Sequence, residues 1–187
     1  QADAGVKNLS WEKQIGNLLY GKTIGVIGLG RIGKMVSKIF SSLGNTVIGY
    51  DLNPDKVWAA INGIKIKPFD EVINTADILT LHIPGNKNSK PVMGYEELKS
   101  MKEKSFIINI SRGNVVDESS LYELLVSKHI AGAGVDVFSE EPYKGPLCEL
   151  NNVVLTPHIG SYAAEGKLQM EIDAVNNMIQ VLGSNTI

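Results

Sequence analysis

Cysteine is nearly absent: Cys148 is the single one in 187 residues. No disulfide can close within the chain, and a reducing compartment such as the cytoplasm is the natural setting. Charge of one sign is also lacking, because 18 basic and 20 acidic residues leave a formal charge of -2. That balance offers no electrostatic footprint for nucleic acid or for an anionic membrane. No apolar run reaches 18 residues, which excludes a membrane-spanning helix. No basic-then-apolar leader opens the chain, and there is no internal repeat or low-complexity tract. The chain opens on Gln1 rather than Met, which reads as a segment excised from something longer.

What remains is ordinary soluble composition, 43% hydrophobic and 20% charged, at a length that suits one core. Apolar, β-branched runs alternate with amphipathic stretches. Strands are expected at Thr23–Ile27, Thr46–Tyr50, Ile64–Ile66, Ile78–His82, Phe106–Ile110, Gly132–Val137 and Val153–Leu155. Helices are expected at Arg31–Leu43, Phe69–Thr75, Tyr95–Met101 and Glu118–Ser127. Such interleaving argues for parallel βαβ units, a Rossmann-like doubly wound sheet between two helical layers. Two flanking helices are expected outside the sheet. One runs from Trp11 to Leu19 with Ser10 as its N-cap, the other from Ala163 to Leu182. Asn86 to Lys90 is the most polar loop.

Gly28-Leu29-Gly30-Arg31-Ile32-Gly33 is a G-x-G-x-x-G between an expected strand and an expected helix. Gly28 would make the tight turn, Gly30 would admit a pyrophosphate close to the backbone, and Gly33 would let helix and strand pack closely. The helix N-terminus then presents free N–H groups to phosphate. Asp51 closes the second strand about 20 residues on, where a carboxylate binds ribose hydroxyls. It would repel a 2′-phosphate, and no arginine follows in Leu52-Asn53-Pro54, so NAD is expected over NADP. The competing reading is that Asp51 caps a helix starting near Pro54.

The other candidates sit at the ends of later strands, where open α/β sheets bind ligands. Arg112 could grip a carboxylate with two hydrogen bonds, or be a plain surface arginine. His158, in Thr156-Pro157-His158, could carry a proton near neutral pH, or be a loop histidine bonded to backbone. A carboxylate beside it would hold its orientation, and Glu140 and Glu141 are equal candidates. Asp136 ends a buried strand and needs a partner, either a ligand or a loop it caps. His82 reads as pocket wall.

GKTIGVIGLGRIG (21–33), LHIP (81–84), NISRG (109–113), GVDVFSEEP (134–142) and LTPHIGS (155–161) occur in one order. In that order they resemble the D-isomer-specific 2-hydroxy acid dehydrogenase family, from about Leu19 to Leu182. The resemblance implies that Arg112 binds the substrate carboxylate and keto oxygen, and that His158 is the acid and base. It selects Glu141, which directly precedes the proline, as the partner that keeps His158 basic. It implies further that Asp136 meets the nicotinamide carboxamide, and that Arg31 and Ile32 line the pyrophosphate. Ile110, Ser111, Gly160, His82 and Pro84 would complete the cofactor site. The stretch from Gly85 to Lys90 departs from the family's Leu-Thr-Pro-like pattern.

Family members carry a separate substrate domain, which is expected to lie largely outside this chain. A homodimer is implied as well. A few members act instead as NAD-sensing co-repressors, and that binding-module role is the alternative to an enzyme acting on a small 2-hydroxy or 2-keto acid.

Overall fold

A computed structural model describes residues 2–13, 15–85 and 90–183. A short helix α1 (Ala2–Lys7) precedes the alternating body of the chain. The strands are β1 (Thr23–Ile27), β2 (Thr46–Tyr50), β3 (Lys65–Ile66), β4 (Ile78–Leu81), β5 (Ser105–Asn109), β6 (Ile130–Val135) and β7 (Val153–Leu155). The helices between and after them are α2 (Arg31–Ser42), α3 (Lys56–Ile61), α4 (Phe69–Thr75), α5 (Tyr95–Ser100), α6 (Glu118–Val126) and α7 (Ala164–Gly183).

The strands form one sheet in the order β3-β2-β1-β4-β5-β6-β7, parallel throughout. The chain starts at the centre, winds to one edge, then returns and winds to the other. The reversal falls between β1 and β4, where Ile27 sits beside Leu81. Connections leave these two strands in opposite directions, and a crevice opens past their C-terminal ends.

Central strands covered on both faces must be apolar on both. Ile24, Leu79 and Leu81 have no solvent exposure, and each such side chain contributes roughly 1.5–3 kcal/mol of burial. One core cluster gathers Val72 and Ile73 of α4, Leu98 of α5 and Leu121, Leu124 and Leu125 of α6. A smaller one holds Ile24, Val26, Leu29, Val47 and Ala59. The doubly wound α/β architecture is therefore as expected from the alternation of runs.

Three local expectations need correction. No helix covers the described residues between Trp11 and Leu19; the N-terminal helix is α1, and Ser10 follows it instead of capping another. Trp11, Ile15 and Leu18 are 83%, 100% and 73% exposed, so this stretch has no surface against which to bury an apolar face. Gly16 adds about 1 kcal/mol against helix, and so short a helix is marginal without packing. Second, α3 escaped the periodicity reading because Val57 and Ile61 are exposed. It is capped by Asp55, whose Oδ1 accepts from Trp58 N at 3.0 Å, so Asp51 is not a helix cap. Third, β4 and β5 each stop one residue short of the expected end, and β6 ends at Val135. Residues 82, 110 and 136 are thereby released just past the C-terminal ends of their strands. Of the polar loop expected at Asn86 to Lys90, all but Lys90 lies outside the described residues.

Candidate active site

Gly28 adopts φ +92°, and a Cβ there would lie 2.4 Å from the carbonyl oxygen of His82. Gly33 has an ordinary φ, but its Cβ would lie 1.9 Å from the Gly28 oxygen. Both glycines are thus required by the turn itself. Gly30 differs: its φ is -70°, and an added Cβ would meet nothing within 4 Å. The fold does not need glycine there. Its smoothness leaves open the approach to the first turn of α2, where Gly30 as N-cap supplies no side-chain bond. The N–H groups of a first helical turn have no helical acceptor. This cradle fits a pyrophosphate. Arg31 and Ile32 are exposed on that turn.

Asp51 is tied to the same loop. Its Oδ2 accepts from Leu29 N at 2.7 Å and its Oδ1 from Asn53 N at 2.8 Å. An ionised carboxylate has about four acceptor positions, so two bonds still leave capacity for a ribose. The bonds hold the negative charge beside the glycine turn. His82 packs behind the same turn. Its backbone abuts Gly28, its N–H bonds Ile27 O at 2.7 Å, and its Nε2 lies 3.0 Å from Thr80 Oγ1. Burial lowers its pKa, favouring neutral imidazole. Pro84 is exposed two residues further on.

The second group of candidates stands on β5, β6 and β7, three neighbours whose ends share one edge. Asn109, 3% exposed at the end of β5, organises the turn after it. Its Oδ1 accepts from Ser111 N and Ser111 Oγ, and its Nδ2 donates to Arg112 O at 3.0 Å. Arg112 is thereby held with an exposed guanidinium, one N–H of which donates to Ser111 O at 2.6 Å. Ser111 is buried and Ile110 is 46% exposed.

His158 Nδ1 lies 3.1 Å from Glu141 Oε1 and 3.0 Å from Glu141 Oε2. Of the two adjacent glutamates, Glu141 is therefore the partner. Its pKa is lowered, first by the bond from His158 and next by that from Phe138 N at 3.1 Å. An ionised carboxylate only accepts, so Nδ1 carries the proton of this bond. His158 sits at φ +53°, a left-handed conformation costing an L residue roughly 1–2 kcal/mol.

Asp136 offsets that strain. Its carboxylate is 5% exposed and accepts from Thr156 Oγ1, Ile159 N and Gly160 N. Burial by itself would raise its pKa, but these three bonds and nearby His158 outweigh it, and the net shift is downward. The loop-capping reading of Asp136 thus holds, with one acceptor position left on Oδ2. Sequence reasoning assigned no role to Asn109 or Thr156. The signal for both was present, since a polar side chain at the end of a buried strand must find a partner.

Among the described residues, no group of three or more His, Cys, Asp and Glu is placed to hold a metal, and no helix is long and apolar enough to cross a membrane. A groove of about 1380 Å³ lined by Lys22, Ile78, Phe106 and Val126 opens at the opposite edge of the sheet, and no candidate residue lines it.

A parallel sheet with a glycine-cradled helix N-terminus at its switch point defines a Rossmann-type dinucleotide-binding domain. Past the ends of β6 and β7 of the same sheet stands a histidine–carboxylate pair. The chain belongs to the family described as D-isomer specific 2-hydroxyacid dehydrogenase, NAD binding domain, whose model matches residues 1–160. NAD is that domain's cofactor. The chain is 36% identical over 185 residues to D-3-phosphoglycerate dehydrogenase of Archaeoglobus fulgidus, covering 97% of this chain and 35% of that protein. It is 41% identical over 171 residues to the enzyme of the same name from Methanocaldococcus jannaschii, covering 89% and 33%. A D-lactate dehydrogenase of Aquifex aeolicus, solved with NAD and lactic acid, superposes with a TM-score of 0.87 at 27% identity, over 97% of this chain and 60% of that one. The chain spans about a third of the length of the curated relatives it matches.

Proposed function

We propose that this chain is the cofactor-binding part of an enzyme that moves hydride between NAD(H) and a D-2-hydroxy or 2-keto acid. The observation that carries this reading is the His158–Glu141 pair, with Nδ1 3.0–3.1 Å from both carboxylate oxygens. It leaves Nε2 to handle the substrate proton. NAD, when bound, supplies the hydride acceptor or donor. The turn at Gly28, Gly30 and Gly33 holds its pyrophosphate, Asp51 its ribose, and the free acceptor position of Asp136 the nicotinamide amide. Asp51 disfavours a 2′-phosphate, so NAD is preferred to NADP. Arg112 anchors the substrate carboxylate with the guanidinium N–H groups left over from its bond to Ser111. In oxidation, His158 Nε2 takes the hydroxyl proton while the C2 hydrogen leaves as hydride and a ketone forms. Reduction reverses both transfers, and Nε2 returns its proton to the new alkoxide.

The relatives named above are dehydrogenases, which supports an enzyme over a co-repressor-like module. The substrate side chain is proposed to be selected by a separate domain outside these residues, in line with the third of its relatives' length that the chain spans. A homodimer is proposed too. Ile32, Met35 and Ile39 of α2 and its C-cap Leu43 are exposed apolar residues, and Leu168, Ile172, Val175 and Ile179 are exposed on α7. The exposed free thiol of Cys148 suits a cytoplasmic setting.

In the full-length protein, His158→Ala should lower kcat by about 10²–10⁴-fold with NAD affinity unchanged. NADH oxidation with pyruvate, glyoxylate, hydroxypyruvate and phosphohydroxypyruvate measures it, and wild-type turnover in the variant would exclude His158 as the proton carrier. The present chain alone should bind NAD yet turn over poorly, because hydride transfer needs reacting atoms held about 3–3.5 Å apart in a closed cleft.

A further inference from the structure

We infer that Glu118, a residue with no part in the chemistry above, is a positioning residue for Glu141. The inference rests on the proposed role of the His158–Glu141 pair. Glu118 is the first residue of α6, behind the N-cap Asp117, whose side chain accepts from Ser120 N at 2.7 Å. Its helix is anchored in the core by Leu121, Leu124 and Leu125, each at most 2% exposed. At a helix N-terminus a carboxylate is favoured by the helix dipole. Glu118 Oε1 accepts two bonds from the loop after β6: Ser139 N at 2.7 Å and Ser139 Oγ at 2.8 Å.

Ser139 lies two residues before Glu141 in the chain. On the near side, Phe138 N donates to Glu141 Oε1 and the Phe138 ring stacks on Tyr143 with centroids 4.3 Å apart. Gly113 meets the same loop: a Cβ there would lie 1.8 Å from the carbonyl carbon of Phe138. The segment that leaves Arg112 therefore presses against the Glu141 loop at Gly113, and five residues later grips it at Glu118. One rigid helix start thus couples the placement of the substrate-anchoring arginine to that of the carboxylate that orients His158. The bond to Ser139 N needs only an acceptor oxygen at position 118, whereas the carboxylate adds charge to it.

The acceptor and the charge can be separated by their opposite effects on Glu141. The charged groups acting on Glu141 are His158, which lowers its pKa, and Asp136, which raises it; Glu140 is its chain neighbour, and Glu118 reaches the same loop at Ser139. Removing the Glu118 charge alone relieves repulsion and moves Glu141 downward or not at all. Releasing the loop loosens the His158 bond and moves Glu141 upward, towards its ordinary value.

The test is a carboxyl-carbon NMR titration of this chain labelled in glutamate, with Glu141 assigned from Glu141→Gln. Glu118→Ala should move the Glu141 midpoint upward, and Glu118→Gln, which keeps the acceptor, should leave it at or below the wild-type midpoint. Thermal melting and NAD binding are followed alongside to confirm that both variants are folded. An unmoved or lowered midpoint in folded Glu118→Ala overturns the inference, as does an upward move of equal size in Glu118→Gln. Should Glu118→Ala fail to fold, Glu118→Met, which keeps the side-chain length but offers Ser139 no oxygen, takes its place, and an unmoved midpoint there overturns the inference equally. The readout does not depend on turnover. A failed activity assay with a shifted midpoint would sink the proposed reaction and leave the positioning role standing.

Discussion

Two loops stand at the C-terminal edge of the sheet, one after β1 and one after β7, and they are built on opposite principles. The cofactor turn, residues 28–33, is shaped by missing side chains. Gly28 takes φ +92°, and Gly33 lets backbone approach backbone where a Cβ would sit 1.9 Å from an oxygen. The loop at 156–160 is shaped by side chains that are present. A left-handed His158 is held because Asp136 binds the residues around it three times. The first loop is enforced at its glycines by repulsion, which acts at very short range and does not titrate, with one added bond from Leu29 N to the Asp51 carboxylate. The second is enforced by hydrogen bonds to a carboxylate, which can be protonated. The comparison predicts that the two regions fail under different perturbations.

The largest effect is expected within the glycine turn. Gly33→Ala should destabilise the chain by more than about 3 kcal/mol, beyond the usual range for overpacking, because the clash is with backbone that cannot rotate away. Gly30→Ala should change stability by less than about 0.5 kcal/mol while weakening NAD binding. Chemical denaturation and calorimetry of both variants measure this contrast. If the two substitutions cost the same stability, Gly30 is a structural glycine and the cradle argument falls.

Asp51→Ala comes next, since that carboxylate is the one polar device in the glycine turn. NAD binding should weaken by about 1–3 kcal/mol, the range for hydrogen bonds to a charged group. The preference over NADP should narrow. Titration calorimetry with both cofactors decides it, and an unchanged ratio would remove Asp51 from the discrimination.

The smallest effect sharpens the contrast through pH. Asp136 has a lowered pKa in the folded chain, against an ordinary value of 3.8. A depressed carboxylate contributes stability that is fully present above the ordinary value and is lost as pH falls through the folded one. Protection of the Ile159 and Gly160 amides against hydrogen exchange should therefore drop in acid, once corrected for intrinsic rates. The Gly28 amide, bonded to Tyr50 O at 2.8 Å, should keep its protection in the same range. Parallel loss at all three amides would mean that the loops open together and the distinction is not real.

Much of this molecule was legible in order along the chain. β1, β2 and β7 fall on their expected residues because each is a short apolar, β-branched run, and that is a local pattern. The cofactor turn was legible for a similar reason: its sterics involve residues close in sequence and need glycine at set spacings. Arg112, Glu141 and His158 could be named by resemblance, but on pattern alone Glu140 matched Glu141.

The resemblance chose Glu141 by its place before the proline, and the tertiary structure gave the physical ground, bringing Glu141 within 3.0 Å of a histidine 17 residues on. It also supplied the roles of Asn109, Asp136 and Glu118, whose partners are brought to them by turns or by neighbouring strands. The expected helix from Trp11 to Leu19 shows the same limit from the other side. It was expected from Ser10 as an N-cap, but among the described residues the fold brings nothing to cover Trp11, Ile15 or Leu18. Sequence by itself determined what backbone sterics and hydrophobic periodicity decide, because both act over a few residues. Which carboxylate meets which donor was left to the packing of the sheet, because hydrogen bonds are made by proximity in space and carry no fixed spacing along the chain.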